Sequence, residues 1–224
     1  MLSTSSHSSW ITDLRFVLLN LSIPIPVPDL TQINGDGIKL LQSTVVASMK
    51  DWLNKEMMSP KMYLLQGRLE LEEDKAPVSK TLHFRHYLRV MTVSHRKSLT
   101  RLLLSDHGLA VEQLHRIHGP HVPREQQLCQ FCLNAVESPE HALLECTASH
   151  ELVRLCNAFV QRMQVEMPVF LSGFAPQGAL PCLKALIANR TTIALLAKYI
   201  HDVLQIFNAH AIYNPVGKSC LSLF

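Results

Sequence analysis

The 224-residue chain is 47% hydrophobic and 17% charged, a balance that suits one large or two small globular domains with a real core. Aromatics make up only 6%, so Leu, Val, Ile and Met must fill that core, and the eight glycines argue for helices and against a turn-rich β-sandwich. A net charge of +3 is too small to name a partner; only its distribution along the chain is informative.

A disordered, Ser-rich N-terminus over residues 1–9 precedes a short helix over residues 10–21, with Trp10, Leu14, Val17, Leu18 and Leu21 on one face. Residues 23–28 alternate Ile or Val with Pro24, Pro26 and Pro28, which remove donors and hold the chain extended as a stiff connector. Helical spacing returns over residues 37–58 through Ile38, Leu41, Val45, Met49, Trp52, Leu53 and Met57. Ser59 and Pro60 read as the cap and first turn of another helix to about residue 71, and the charged segment 72–79 reads as a linker. Residues 80–90, 94–104 and 108–116 are three short helical candidates. In the second, Leu99, Leu102 and Leu103 face a core, and His95, Arg96, Lys97 and Arg101 cover the remainder. A His/Gly/Pro turn over 117–123 leads to a Cys/His segment. An amphipathic helix over 149–164 follows, through Leu152, Leu155, Cys156, Phe159, Val160 and Met163, and two further helices are predicted over 179–188 and 191–209.

The expected fold is therefore all-α, with a small zinc knuckle (a Cys-x-x-Cys turn plus a capped helix) inserted between helices. Its parts are an N-terminal helical segment over 10–75, basic helices with the knuckle over 80–165, C-terminal helices over 166–213 and a tail over 214–224. Charge is segregated: residues 80–124 hold eight Lys or Arg and seven of the twelve histidines against two acidic residues, Asp106 and Glu112. The apolar run 16–19 is too short to span a membrane, and no basic n-region or cleavage site is evident at the N-terminus. The expectation is an intracellular chain, nuclear or cytoplasmic and without membrane attachment, whose six cysteines are thiols or metal ligands and not disulfides.

The Cys/His segment reads Cys129-Gln-Phe-Cys132, eight residues, His141, four residues, Cys146. Zinc favours four nitrogen and sulfur ligands in a tetrahedron, and a structural site is closed by four protein donors. Cys129 and Cys132 supply a tight knuckle whose backbone amides can point at the thiolates. Ser138 can cap the next helix, Pro139 fits its first position, and Glu140 suits the positive end of its dipole. His141 then lies in the first turn and Cys146 near the helix end. A regular helix turns about 100° per residue, so a five-residue step leaves the two ligands about 140° apart. The helix is expected to fray or tighten near Cys146, which makes Cys146 the weakest of the four ligands; His121 and His150 are its substitutes. The plainer alternative is small buried thiols and a surface histidine. Cys156, Cys182 and Cys220 read as core or idle thiols. Four good protein donors leave no open position for water, and Glu140 and Glu145 are explained by a first-turn cap and a solvated face, so catalytic zinc is not expected.

The run His95-Arg-Lys-Ser-Leu-Thr-Arg-Leu-Leu-Leu-Ser-Asp-His107, then Leu109-Ala-Val-Glu-Gln-Leu114, Pro123-Arg-Glu, Leu128-Cys-Gln-Phe-Cys132 and Glu140-His-Ala-Leu-Leu-Glu-Cys146 resembles one family. It is similar to the zinc-binding region downstream of the reverse transcriptase in non-LTR (LINE-type) retrotransposons, the nearest likeness being to copies in basidiomycete fungi. The specific match covers roughly residues 80–160, with a looser likeness around Leu195–Leu204 and over residues 1–75. The resemblance implies that Cys129, Cys132, His141 and Cys146 bind Zn2+, and that the basic segment helps hold RNA or DNA beside a polymerase. This sequence contains no Tyr/Phe-x-Asp-Asp metal-binding turn and no RNase H carboxylate set. After Cys146 the only carboxylate side chains are Glu151, Glu166 and Asp202, too scattered for two-metal nuclease chemistry.

Two functional readings follow. One is a non-catalytic nucleic-acid-binding module in which Arg96, Lys97, Arg101, Arg116 and Arg124 contact phosphates and Phe131 stacks on a base. The plainer alternatives are a solvated helix face for the charges and packing of Phe131 against its own helix. The other is a protein-interaction or scaffold module whose Leu-rich helices dock on a polymerase domain or drive self-association. A degenerate transposon remnant without a selected role is a third reading, and an enzyme is the class least expected.

Overall fold

The computed structural model of the chain describes residues 10–21, 24, 34–67, 85–116, 121–166, 168 and 178–215. The predicted N-terminal disorder, the proline connector apart from Pro24, the 72–79 linker, most of the 117–123 turn and nearly all of the 214–224 tail lie outside the described residues. The described residues form an all-α structure. Their only β pairing is one isolated antiparallel bridge between Leu128 and Val136.

The chain divides into two units, residues 1–60 and 61–224. The first holds α1 (Trp10–Leu19) and the long α2 (Gly35–Met57). Asn34 starts α2 by accepting the Gly37 N–H at 2.8 Å on its side-chain oxygen, which satisfies one donor the helix leaves open. Several apolar side chains here stay in solvent, namely Phe16, Val17, Leu19, Ile38, Leu40 and Trp52, while Leu18 is buried and Leu41, Val45, Met49, Leu53 and Met57 are half-buried.

The second unit contains α3 (Val93–Leu103), α4 (Ala110–Arg116), α5 (His150–Glu166), α6 (Ala179–Ala188) and α7 (Ile193–Asn208). α7 lies at its centre. Leu196, Ala197, Ile200, Val203 and Phe207 are almost completely buried, and Ile193, Tyr199, Leu204 and Ile206 nearly so, so the helix is apolar on most of its circumference. It packs against α3, α5, α6 and the turn around residues 141–145. α3 contributes Leu99, Leu102 and Leu103, and α5 contributes Leu152, Phe159 and Met163, with Phe159 stacked on Tyr199 at 4.4 Å between ring centroids. Each fully buried side chain of this size contributes about 1.5–3 kcal/mol. Val160, expected on the buried face of α5, is exposed, so that face is narrower than its spacing suggests.

Two predicted helices are, in their described parts, 3-10 turns instead. In place of a helix over residues 59–71 there is one 3-10 turn, Pro60–Met62, followed by turns to Gly67, whose positive φ of 69° takes the chain out of the helical region. In place of a helix over 80–90, the described part is the 3-10 turn His86–Arg89; Tyr87 and Val90, three apart, are its buried anchors, the spacing at which side chains eclipse in a 3-10 turn. Among the described residues, no helix is long and apolar enough to cross a membrane.

Candidate metal centre

Cys129 and Cys132 sit on a minimal hairpin. The Leu128–Val136 bridge closes its base, the Cys129 N–H donates to Ala135 O at 2.8 Å, and the Leu133 N–H donates to Cys129 O at 2.8 Å. To turn this tightly the chain places Leu133 at φ 51°, a left-handed conformation that L residues adopt at a cost of about 1–2 kcal/mol. In return the turn aims backbone donors inward: the N–H groups of Phe131 and Cys132 at the Cys129 sulfur, and those of Asn134 and Ala135 at the Cys132 sulfur.

The second pair comes from the segment after Ser138. The Ser138 carbonyl accepts the Ala142 N–H at 2.9 Å, and its hydroxyl lies 3.3 Å from the His141 N–H, so Ser138 caps the turn as its residue type suggests. His141–Glu145 then forms a π-turn, and the Cys146 N–H donates to His141 O at 2.9 Å. A π-turn closes over five residues instead of four, so a five-residue step returns to the same face. Widening of the helix, not the expected fraying or tightening, brings His141 and Cys146 together. Cys146 itself has extended backbone, and the Ala148 N–H points at its sulfur.

The four donor atoms of Cys129, Cys132, His141 and Cys146 all lie within 4.8 Å of one another, a group that can hold a metal ion. The Cys129 and Cys146 sulfurs are 3.7 Å apart, and the Cys132 sulfur is 3.4 Å from His141 Nε2. His141 Nδ1 lies 3.6 Å from Glu145 Oε2, which leaves Nε2 as the nitrogen turned to the cysteines. Cys129, His141 and Cys146 are buried and Cys132 is half-buried. His121 and His150 stand outside the group. Cys156 and Cys182 are half-buried against the apolar core, and Cys220 lies outside the described residues.

Burial, with the neighbouring Cys146 sulfur, pushes the Cys129 thiol up to about 12 despite its two backbone donors. Burial also raises Cys146. Burial acts the same way on Cys132, but the N–H groups of Asn134 and Ala135 together with the Cys129 and Cys146 thiols outweigh it and hold this thiol below its ordinary value. Three sulfurs this close ionise together only when a cation offsets their charge.

Residues with no sequence signal hold the centre in place. Glu137 is fully buried: Oε1 accepts the Ala110 N–H at the start of α4, and Oε2 accepts the Gln130 N–H inside the hairpin, each at 2.8 Å. Burial pushes its carboxyl up to about 7, against the pull of those two donors. Gln130 donates to Phe207 O at 2.9 Å, and the Tyr199 hydroxyl donates to Leu143 O, so α7 braces both halves of the centre. Tyr63 donates to Glu140 at 2.8 Å, which gives that carboxylate a fixed partner.

The structure brings together three of the six residues expected to touch nucleic acid. Arg96, Lys97 and Arg101 line one surface cleft of about 420 Å³ along α3, with Asp106 at its rim. Arg96 also donates to Val90 O at 2.9 Å, and Arg101 lies 3.5 Å from Asp106. Arg116 is outside the cleft, bonded to Asp106 at 2.9 Å and to Ser105 O at 2.8 Å. Arg124 is exposed in a separate 3-10 turn. Phe131, expected to stack on a base, is half-buried with its ring edge-to-face against Phe207 at 4.9 Å and His210 at 5.0 Å. No family model matches the chain, and no curated protein or solved structure matches it either.

Proposed function

We propose that the chain is a non-catalytic zinc-binding module that contacts nucleic acid, derived from the region downstream of the reverse transcriptase in LINE-type retrotransposons. The observation that carries the zinc assignment is the spacing of the donors. A tetrahedral zinc with bonds of about 2.3 Å to sulfur and about 2.05 Å to nitrogen sets sulfur pairs about 3.8 Å apart and sulfur–nitrogen pairs about 3.6 Å apart. The separations of 3.7 Å and 3.4 Å lie close to both. Three thiolates and an imidazole are a donor set that zinc favours, and the N–H groups aimed at the sulfurs offset the surplus negative charge. With the metal on Nε2, Nδ1 keeps its proton facing Glu145, the outer partner that ligating histidines ordinarily have. Four protein donors close the tetrahedron, so the ion would be structural.

The nucleic-acid part rests on the basic cleft along α3 and on the resemblance of residues 80–160 to that family. Phosphates in the cleft would meet Arg96, Lys97 and Arg101 as point charges, giving binding that weakens as salt rises and carries little sequence preference. Metal analysis of the purified protein tests the first part: about one zinc per chain is expected, and none in Cys129→Ser. A gel shift of labelled single-stranded RNA tests the second, and undetectable binding at low ionic strength would overturn it.

A second reading is favoured by the first unit. Exposed Phe16 and Leu19 on α1, and Ile38, Leu40 and Trp52 on α2, suit a protein-interaction module with apolar helical contacts. A concentration-dependent rise in mass in sedimentation, lost on Leu40→Lys with Trp52→Lys, would support it; a monomer throughout would count against it.

A further inference from the structure

A second cleft, of about 300 Å³, lies on the other side of the start of α3. Its wall is built from the 3-10 turn His86–Arg89, the first turn of α3 and the first turn of α7. His86, Arg89, His95 and Arg190 line it, and no carboxylate is among its described lining residues. Arg89 and Arg190 are exposed, whereas His86 and His95 are half-buried. His86 is held in place by a 3.0 Å contact from Nε2 to Ile187 O. His95 packs against His201 at 5.1 Å between ring centroids, with the Lys198–Asp202 pair beyond.

Two guanidinium groups and two imidazoles around one cleft form a site for a compact anion with several acceptor oxygens. Neither α3 nor α7 has an acidic residue in its first turn, although the Asn189 side-chain oxygen accepts the Thr191 and Thr192 N–H groups just before α7. Apart from the imidazoles, no aromatic ring lines the cleft among the described residues, so the base of a free nucleotide would find no stacking partner. The cleft that holds Arg96, Lys97 and Arg101 flanks the same helix. Arg190 lies outside the basic segment expected to hold nucleic acid, and Arg89, His86 and His95, though within it, were not among the residues expected to make the contacts.

We propose that the cleft between His86, Arg89, His95 and Arg190 is a phosphate site, and that the phosphate it takes is a backbone phosphate of a nucleic acid strand crossing α3. The choice of a strand rests on the nucleic-acid reading above; the phosphate chemistry does not. The strand would thus be gripped on both sides of α3.

The test uses the full chain with its metal bound. Arg190→Gln alone and Arg89→Gln with Arg190→Gln are compared with Arg162→Gln, which removes a charge from α5 away from the cleft. Binding is read from the anisotropy of labelled single-stranded RNA over a salt series. The double variant should weaken binding about five- to tenfold at low salt and reduce the salt slope by about one, while Arg162→Gln stays within about twofold. In a second arm, inorganic pyrophosphate is titrated while the imidazole resonances of His86 and His95 are followed. They should move in the native chain and stay still in the double variant. If RNA binds the native chain and the double variant equally, the strand as occupant of this cleft is overturned and the nucleic-acid reading survives. If pyrophosphate moves both histidines but RNA does not bind, the site stands and the strand as its source fails. Histidines that do not respond to pyrophosphate, in a chain whose RNA binding also ignores Arg190, overturn the site outright.

Discussion

α7 and the segment from Cys129 to Cys146 occupy the same unit but hold together in opposite ways. α7 is about as long as that segment and is fixed by apolar burial on most of its surface. The Cys129–Cys146 segment has one isolated bridge, a left-handed leucine, a π-turn and a buried carboxylate. Each of those features costs free energy in isolation, and specific hydrogen bonds from Glu137, Gln130 and Tyr199 hold them together, to which the proposed zinc would add. Burial is non-directional and tolerant of small errors. A centre of four donors is directional, and removing one donor removes the reason for the others to meet.

Chelation should separate the two most sharply. Stripping the proposed zinc at neutral pH is expected to loosen residues 129–146 while the helices around α7 retain most of their ellipticity, because structural zinc binding is worth about 10–16 kcal/mol in small metal-dependent folds. Hydrogen exchange would read this residue by residue, and equal loss of protection in α7 would show that the two regions are not separable. The converse perturbation is Phe207→Ala, which deletes a fully buried ring and its contact with Phe131. Chemical denaturation should show a loss of about 3–5 kcal/mol with zinc content unchanged.

Glu137 gives a smaller effect with a distinctive pH signature. Its folded carboxyl titrates near 7, above the ordinary value of 4.5. The folded state therefore holds a proton that the unfolded chain has released, so stability contributed by this group falls as pH rises from about 4.5 to about 7, by an amount of order 3 kcal/mol. Metal binding runs the other way, because acid protonates thiolates and imidazole. With zinc held saturating, Glu137→Gln should flatten the fall between pH 4.5 and 7. It should also cost about 1–3 kcal/mol at acid pH, since an amide nitrogen replaces one acceptor against a backbone N–H. An unchanged slope would assign the pH dependence elsewhere. The mildest change is Leu133→Gly. Leu133 is half-exposed, so little burial is lost, and relief of the left-handed strain is partly offset by the extra freedom of glycine when unfolded. Thermal melting should show stability unchanged or raised by up to about 1 kcal/mol, and a marked loss would mean that the Leu133 side chain holds the hairpin.

Helical periodicity was enough to place most of the helices. The predicted segments 94–104, 149–164, 179–188 and 191–209 fall within about two residues of α3, α5, α6 and α7, since each repeats its apolar residues at the helical spacing. Over the described parts of 59–71 and 80–90 the structure has 3-10 turns in place of helix, since short apolar spacings fit either and Gly67 turns the chain out of the helical region. The same periodicity over 37–58 gave α2, where Ile38 and Trp52 are exposed and Leu41, Val45, Met49, Leu53 and Met57 only half-buried, because periodicity reports that a face exists and not how fully it is covered.

At the centre, residue type and spacing alone selected Cys129, Cys132, His141 and Cys146, because few roles suit three cysteines and a histidine so arranged. The doubt over Cys146 followed from assuming a regular helix; a π-turn, which leaves no mark in spacing, places Cys146 beside the other three donors. Glu137, Gln130 and Tyr199 could not be read from sequence at all, since a lone Glu, Gln or Tyr becomes a clamp only when distant backbone groups arrive beside it. Basic residues were likewise visible as a run, but only folding sorted Arg96, Lys97 and Arg101 onto one side of α3 and set His86, Arg89 and His95 beside Arg190, about a hundred residues away, on the other. Local chemistry and periodicity are written along the chain; which donors, charges and carbonyls meet depends on contacts between residues far apart in sequence, and those only the tertiary structure decides.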